Sequence, residues 1–278
     1  MENKLCVITG ANSGIGFETA KALAQKGAYV VMVCRNEEKA KAAMEEIIQE
    51  TGHAGIEIVL CDFAIQAEIH QAADAIKQKF EKIDVLINNH GFLASERNET
   101  VDGLEETFAV NHIGYFLFTN LLLDHLKSAD HARVINVASE AHRAGEFDPD
   151  NLQLEEGFKP FKAYGNSKLF NILFTKELAH RLRDTSVTAN CLHPGLVGSN
   201  FGQSGNLLVR LFYTLGKAFI TSNKEGAQTS IYLASSEDVQ NTSGQYFKNK
   251  KASTPSRIAR DMDAAKKLWE ISNKLCGL

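Results

Sequence analysis

The chain predicts an α/β fold: one doubly wound, seven-stranded parallel sheet flanked by helices, in a single domain over residues 1–278. Three observations carry this. Short β-branched runs alternate with longer helical patterns from the first residues onward. The strands are apolar along their whole length, as strands buried on both faces are, and a glycine-rich turn joins the first strand to the first helix.

The first strand is LCVIT, followed by a helix from about Ile15 to Lys26, and YVVMV is followed by a charged helix from about Glu37 to Glu50. IEIVL leads to a helix near Gln66 to Phe80, and DVLIN to a long helix near Leu104 to Leu126. After RVINVA come a helix near Phe161 to Arg183, the strand SVTANCL and a late strand near GQYF. No linker or repeat interrupts the rhythm, and Pro149, Pro160, Pro194 and Pro255 all fall at element boundaries. Two regions depart from it, Glu140 to Pro160 and Gly198 to Thr221. Both follow strand C-termini, where an open α/β sheet places its ligand.

With 44% hydrophobic residues the chain can bury a substantial core. Its 30 Lys and Arg against 34 Asp and Glu give no bulk attraction to nucleic acid or anionic lipid, so no nucleic-acid partner is expected. Cys6, Cys34, Cys61, Cys191 and Cys276 form no C-x-x-C pair, and read as structural thiols of a reducing compartment rather than metal ligands. No metal site is expected. The first strand begins too early for a signal peptide, and no apolar run is long enough to span a bilayer, so a cytoplasmic location is expected.

TGANSGIG, Thr9 to Gly16, lies between the first strand and the first helix. Gly10 permits the tight turn, Gly14 lets the backbone approach a pyrophosphate, and Gly16 lets helix and strand pack closely; the helix N-terminus then offers free N–H groups to phosphate. A dinucleotide fold selective for NAD carries an acid at the end of its second strand to hold the ribose 2′-hydroxyl. Here VMVCRN places Arg35 there, with Asn36 as a helper. A guanidinium binds a 2′-phosphate and stacks on adenine, so NADP(H) is favoured and NAD(H) stays open. Asp62, closing the third strand, is expected to face the adenine.

Tyr164 and Lys168, four residues apart, share one face of a helix. An ammonium beside a phenol favours the phenolate and makes proton exchange with an alcohol or ketone practicable near neutral pH. Between them stand Gly165, Asn166 and Ser167, poor helix formers; small Gly165 and Ser167 leave room for cofactor or neighbouring backbone. Ser139, in NVAS, ends a parallel strand where a nicotinamide would lie, and its hydroxyl can hold a substrate oxygen beside Tyr164. Asn111 sits in mid-helix among apolar residues, where a buried amide needs partners; a water on it would relay protons from Lys168.

Over essentially its whole length the chain resembles the short-chain dehydrogenase/reductase family, whose fold is of Rossmann type. Thr9–Gly10 through Gly16, Asp62, NNHG at Asn88–Gly91, Asn111, Ser139, Tyr164–Lys168 and Pro194–Gly195 occur in the family's order and at about its spacings. The resemblance implies hydride-coupled proton transfer by Asn111, Ser139, Tyr164 and Lys168. It implies cofactor contacts from Gly10, Asn12, Ser13, Gly14, Ile15, Gly16, Arg35, Asn36, Asp62, Phe63, Asn89, His90, Gly91, Tyr164, Lys168, Pro194, Gly195 and Val197. CRN after the second strand, EFDPDNLQLE, LFTKELAHRL and the ending AAKKLWEISNKLCGL resemble the retinol-dehydrogenase-like group, whose members generally prefer NADP(H). Animal members of that group often carry an N-terminal membrane anchor, and none is expected here. His90 replaces the family's usual Ala, and Ser199 stands near the place of a Thr that contacts the carboxamide; a packed neutral histidine is the plainer reading of His90.

The expected reaction interconverts a lipophilic or aromatic alcohol and its aldehyde or ketone. NLLVRLFYTLGKAFI, 206–220, lies in the segment, about 198–221, that covers substrate in this family. An apolar lid, a helix buried against the body or a dimer partner, and a peripheral membrane contact are all compatible with it. Homodimers and homotetramers are the assemblies the resemblance implies. A non-catalytic NADP-sensing protein and a carbon–carbon double-bond reductase are the rival functions; intact Ser139, Tyr164 and Lys168 weigh against the sensor.

Overall fold

A computed structural model describes residues 1–195 and 222–278. The segment expected over the substrate, about 198–221, lies outside the described residues, as do Val197 and Ser199.

The expected strands are β1 (Leu5–Thr9), β2 (Tyr29–Cys34), β3 (Ile56–Leu60), β4 (Val85–Asn88), β5 (Arg133–Val137), β6 (Thr188–His193) and β7 (Tyr246–Lys248). They pair in parallel in the order β3-β2-β1-β4-β5-β6-β7. An eighth strand, β8 (Lys251–Ser253), extends this edge antiparallel to β7. The hairpin between them turns on Asn249 and Lys250, with φ of 50° and 61°. Two consecutive positive φ angles match the twist of a two-residue hairpin, but that turn is usually announced by glycine, and here a lysine occupies the second position.

Three expected helices are α1 (Gly14–Gln25), α2 (Glu37–Thr51) and α3 (Gln66–Lys79), each within a residue of its predicted bounds. The helix predicted from Leu104 to Leu126 is instead a succession: α4 (Glu106–Phe108), a π turn (Ala109–Ile113), α5 (Gly114–Leu121) and α6 (Leu123–Lys127). Its start is set by Glu105, whose carboxylate accepts hydrogen bonds from the amides of Thr107 and Phe108. Then follow α7 (Pro160–Arg181), α8 (Asn223–Ser235) and α9 (Met262–Cys276). The last two are not among the predicted elements: α8 lies between the strands SVTANCL and GQYF, and α9 follows the last strand.

The sheet separates two apolar layers, and successive strand residues alternate between them. Val7, Val31 and Val33 face the layer formed with α3, α5, α7 and α9; Cys6, Ile8 and Met32 face the layer under α1, α2 and α8. All five cysteines are buried and unpaired. Strand order reverses at β1 and β4, so the crevice at their C-terminal ends is where this topology leaves room for a ligand. Among the described residues no helix is long and apolar enough to cross a membrane.

Helix α9 closes one layer. Trp269 lies edge-on to Phe116 at 4.8 Å, stacks near Phe174 at 5.8 Å, and carries the Arg181 guanidinium 4.4 Å from its ring centre. Trp269→Ala is expected to lower the unfolding free energy by about 3 kcal/mol, from lost burial and the cavity left behind; urea titration measures it.

Candidate active site

The glycine turn is fastened to the loop after β4. Thr9 Oγ1 accepts the backbone N–H groups of Asn89 and His90 at 2.8 and 3.2 Å, and the Asn89 side-chain amide donates to the Thr9 carbonyl at 2.9 Å. Gly10 and Gly14 have positive φ, 66° and 59°. A Cβ on Gly16 would stand 2.3 Å from the Gly10 carbonyl oxygen, so that position requires glycine. Among the described residues nothing lies within 4 Å of where a Gly14 Cβ would be. Ser13, the N-cap of α1, makes no side-chain capping bond, and among the described residues no other side chain caps the first turn. Open space at Gly14 and an uncapped helix N-terminus fit a pyrophosphate. Asn12 and Ile15 are half-buried beside it.

Arg35 is exposed at the end of β2, with its Nη1 3.5 Å from Asp62 Oδ2. Asp62 Oδ1 accepts the Ala64 N–H at 3.0 Å, which holds the carboxylate at the mouth of β3. Asn36 turns out to be the N-cap of α2, its Oδ1 accepting the Lys39 N–H at 2.8 Å. Only its NH2 group remains to help Arg35.

His90 is packed, as the plainer reading held. Its ring stacks on Phe63 with centroids 3.8 Å apart, and its Nε2 donates to the Val110 carbonyl in the π turn at 2.8 Å. Nδ1 lies 2.9 Å from Thr9 Oγ1. Burial pushes the imidazole down to about 3, opposed by the Val110 bond and assisted by the Lys168 charge, so it is neutral at physiological pH. It therefore links the nucleotide turn, the β4 loop and the π turn. Gly91 is exposed just beyond.

The start of α7 gathers the remaining residues. Lys168 is 2% exposed; its Nζ donates to the Val137 carbonyl at 3.1 Å and lies 5.5 Å from the Tyr164 ring centre. The three residues between them each hold another part of the site. A Cβ on Gly165 would meet the Ala141 carbonyl oxygen at 3.1 Å, in the 3-10 turn Glu140–Ala144 that follows Ser139. Asn166 Oδ1 accepts the Glu146 N–H at 2.9 Å. Ser167 Oγ accepts from Asn111 Nδ2 at 3.0 Å and donates to the Tyr164 carbonyl at 2.8 Å. Neighbouring backbone thus does approach Gly165, as its small size allowed.

Asn111 is fully buried in the π turn. Its Oδ1 accepts the Phe92 N–H at 2.7 Å, and its two N–H groups donate to the Phe92 carbonyl and to Ser167. With both N–H groups engaged, the side chain offers a water only a second lone pair on Oδ1. Ser139 Oγ accepts the Ala141 N–H at 3.2 Å, which leaves its own hydrogen to donate elsewhere. Pro194 and Gly195, the latter with φ of 97°, follow β6 half-buried.

Several groups here were not anticipated. Tyr115 donates to the His90 carbonyl at 2.7 Å, and its ring centre lies 5.7 Å from Lys168 Nζ. Glu140 accepts from Tyr246 Oη at 2.7 Å, Arg143 Nε at 3.1 Å and Lys248 Nζ at 3.4 Å. Burial would raise its carboxyl, but those hydrogen bonds and the charges of Arg143 and Lys248 bring it down to about 2. His142 is buried between Ser139 and Ser256. Only the S-x-x-H spacing, which sets His142 one tight turn after Ser139, hinted at it.

The model of the family described as short chain dehydrogenase matches residues 4–207. Mouse retinol dehydrogenase 12 is 41% identical over 275 residues, covering 99% of this chain and 87% of its own. Human retinol dehydrogenase 14 is 41% identical over 294 residues, covering 100% and 88%. Among solved structures, an uncharacterised protein from Mycobacterium paratuberculosis superposes with a TM-score of 0.81 at 31% identity, over 99% of this chain and 94% of that one. A Shigella flexneri short chain dehydrogenase complexed with NADP shares the fold, with a TM-score of 0.71 at 21% identity over 90% and 98%.

Burial of Lys168 has a measurable consequence. It pushes the amine down from 10.5 to about 7, so between those values the unfolded chain binds a proton that the folded protein has released. Stability from this group therefore rises with pH across that window. The buried thiols, raised above 9.0 in the fold, oppose it as those of the unfolded chain ionise near pH 9, and do so equally in wild type and Lys168→Met. In the absence of added nucleotide, wild type is expected to gain about 2 kcal/mol relative to Lys168→Met between pH 7 and pH 9. Urea unfolding at the two pH values measures it, and parallel curves would place Lys168 in water.

Proposed function

The chain belongs to the short-chain dehydrogenase/reductase family, in its retinol-dehydrogenase-like branch, and on that premise we propose an NADP(H)-dependent oxidoreductase that interconverts a lipophilic or aromatic alcohol and its aldehyde or ketone. One observation carries the reading: Lys168 is buried 5.5 Å from the Tyr164 ring on one face of α7, and the intervening residues hold Asn111 and the Ser139 turn. The relatives' names, retinol dehydrogenases, favour an apolar alcohol as substrate.

NADP(H) would be held by the turn from Gly10 to Gly16, with Arg35 toward the 2′-phosphate, Asp62 and Phe63 toward the adenine, and Asn89, Pro194, Gly195 and Val197 further along; bound there it supplies or accepts the hydride. Tyr164 gives its phenolic proton to the substrate oxygen in reduction and takes it back in oxidation. Ser139 donates its free hydroxyl hydrogen to the same oxygen, stabilising developing negative charge. Lys168 would hold the nicotinamide ribose. Burial brings it close to titration at neutral pH; the negative charge of a bound cofactor would favour the ammonium, and the ammonium favours the Tyr164 phenolate. Asn111 fixes the π turn and keeps one lone pair for a relay water.

Residues 1–278 would work as a single domain in the cytoplasm, with about 198–221 over the substrate and a peripheral membrane contact or a homodimer compatible with that segment.

Tyr164→Phe is expected to lower kcat by about a hundredfold or more across a panel of lipophilic aldehydes and ketones with NADPH. Unchanged turnover would exclude this mechanism. NADPH consumption without alcohol formation would point to the double-bond reductase. Arg35→Asp is expected to raise the Kd for NADP at least tenfold more than that for NAD, since a carboxylate repels the 2′-phosphate. Equal losses, measured by fluorescence titration, would remove the phosphate assignment.

A further inference from the structure

One fully buried ionisable ring touches the Ser139 turn and has no part in the chemistry above. His142 lies in the 3-10 turn Glu140–Ala144. Two of its donors converge on one acceptor: its backbone N–H reaches the Ser139 carbonyl oxygen at 3.1 Å, and its Nδ1 reaches the same oxygen at 2.6 Å. On the far side of the ring, Nε2 lies 3.0 Å from the Ser256 backbone nitrogen. A carbonyl can only accept and a backbone N–H can only donate, so the hydrogen sits on Nδ1 and Nε2 presents its lone pair. Only this neutral tautomer satisfies both ends.

The ring therefore ties the carbonyl of Ser139 to the chain just beyond β8. Its neighbours tie the same turn to the same edge: Arg143 Nη2 donates to the Thr254 carbonyl at 3.0 Å, and Glu140 is held by Tyr246 and Lys248 of β7. Those contacts lie on Glu140 and Arg143. His142 alone among the three acts on Ser139 itself, and both lone pairs of the Ser139 carbonyl are taken by it. The carbonyl so held anchors the extended Ser139 backbone, φ −163° and ψ 157°, from which Oγ projects.

We infer that His142 is the positioning residue for Ser139, holding its carbonyl through the Nδ1–H bond, with the Ser256 N–H fixing the tautomer that donates it, so that Oγ is aimed at the substrate oxygen. The inference rests on the reading of Ser139 as the hydrogen-bond donor to that oxygen. Charged and titratable groups around the ring are Glu140 and Arg143 on its own turn, His193 on β6, and Tyr246 and Lys248 on β7. Burial and Arg143 keep the imidazole neutral against the pull of the Ser139 bond and Glu140.

Two isosteric substitutions separate the ring's two ends. His142→Asn places an N–H where Nδ1 stands and cannot reach Ser256; His142→Gln places an acceptor where Nε2 stands and gives up the side-chain bond to Ser139. With NADPH and the best substrate of the carbonyl panel, H142N is expected to keep kcat within about threefold of wild type, while H142Q loses on the order of ten- to a hundredfold. The Kd for NADPH should be the same in both. Equal kcat values, or the reverse order, overturn the inference. Ser139→Ala, measured alongside, separates the two readings: an active S139A removes the role of Ser139, whereas an inactive S139A with two fully active His142 variants removes only the role of His142. Should either variant fail to fold, 15N NMR of the wild-type imidazole decides, because an Nε2–H tautomer at neutral pH overturns the inference and an Nδ1–H tautomer upholds it.

Discussion

The candidate site depends on the register of the first two turns of α7. Tyr164 and Lys168 occupy one face, and the three residues between them are spent on holding other segments in place. Gly165 admits the backbone of the Ser139 turn, Asn166 holds the amide of Glu146, and Ser167 anchors the carboxamide of Asn111. Helix propensity is surrendered over these positions, and tertiary contacts on nearly every side of the helix replace it; Ala163 and the residues from Gly165 to Thr175 are all buried. Shifting α7 by one residue would misplace the Tyr–Lys pair and break every tie to the π turn and the Ser139 turn at once.

Burial, more than charge pairing, sets the protonation states around this helix. Lys168 is brought down to about 7 by desolvation alone, and His90 to about 3 against an opposing hydrogen bond. The neutral histidines then act as hydrogen-bond couplers of fixed polarity. Each has one donor nitrogen and one acceptor nitrogen, and each joins two backbone segments that no secondary structure connects. His90 does so between the glycine turn and the π turn, and His142 does so between Ser139 and the chain beyond β8. A lysine or an arginine in either place could donate but not accept, and a leucine would leave buried backbone groups unpaired.

Much of this was legible in the sequence because the relevant signals are local. Strands buried on both faces read as unbroken apolar runs, and a glycine turn between strand and helix has few other uses. Tyr164 and Lys168 are joined by helical spacing, and Ser139 by its place at a strand end. The π turn was not legible: its extra residue is stabilised by Asn111 reaching Phe92 and Ser167, partners 19 and 56 positions away. The hairpin at Asn249 and Lys250 lacked its usual glycine. His142 resembles a solvated turn residue until Ser256, 114 positions later, is placed against it. For the π turn and His142 the deciding partner is distant in sequence, and local pattern carries little trace of it; the hairpin is local but lacks the residue that usually announces it.

The same distinction orders the sheet edge. Strands β7 and β8 are only three residues each, and β7 buries Tyr246 and Phe247 in the two apolar layers; they lie directly outside β6 and the Ser139 turn. Glu140 reaches out to Tyr246 and Lys248, and Arg143 to Thr254. Together with the chain just beyond it, the hairpin also supplies fixed side chains and backbone groups beside the crevice. Its value to this fold is as a rigid frame: the reacting side chains stand on turns after strand ends, and such turns hold their aim only when both flanks are tied to elements that cannot move independently.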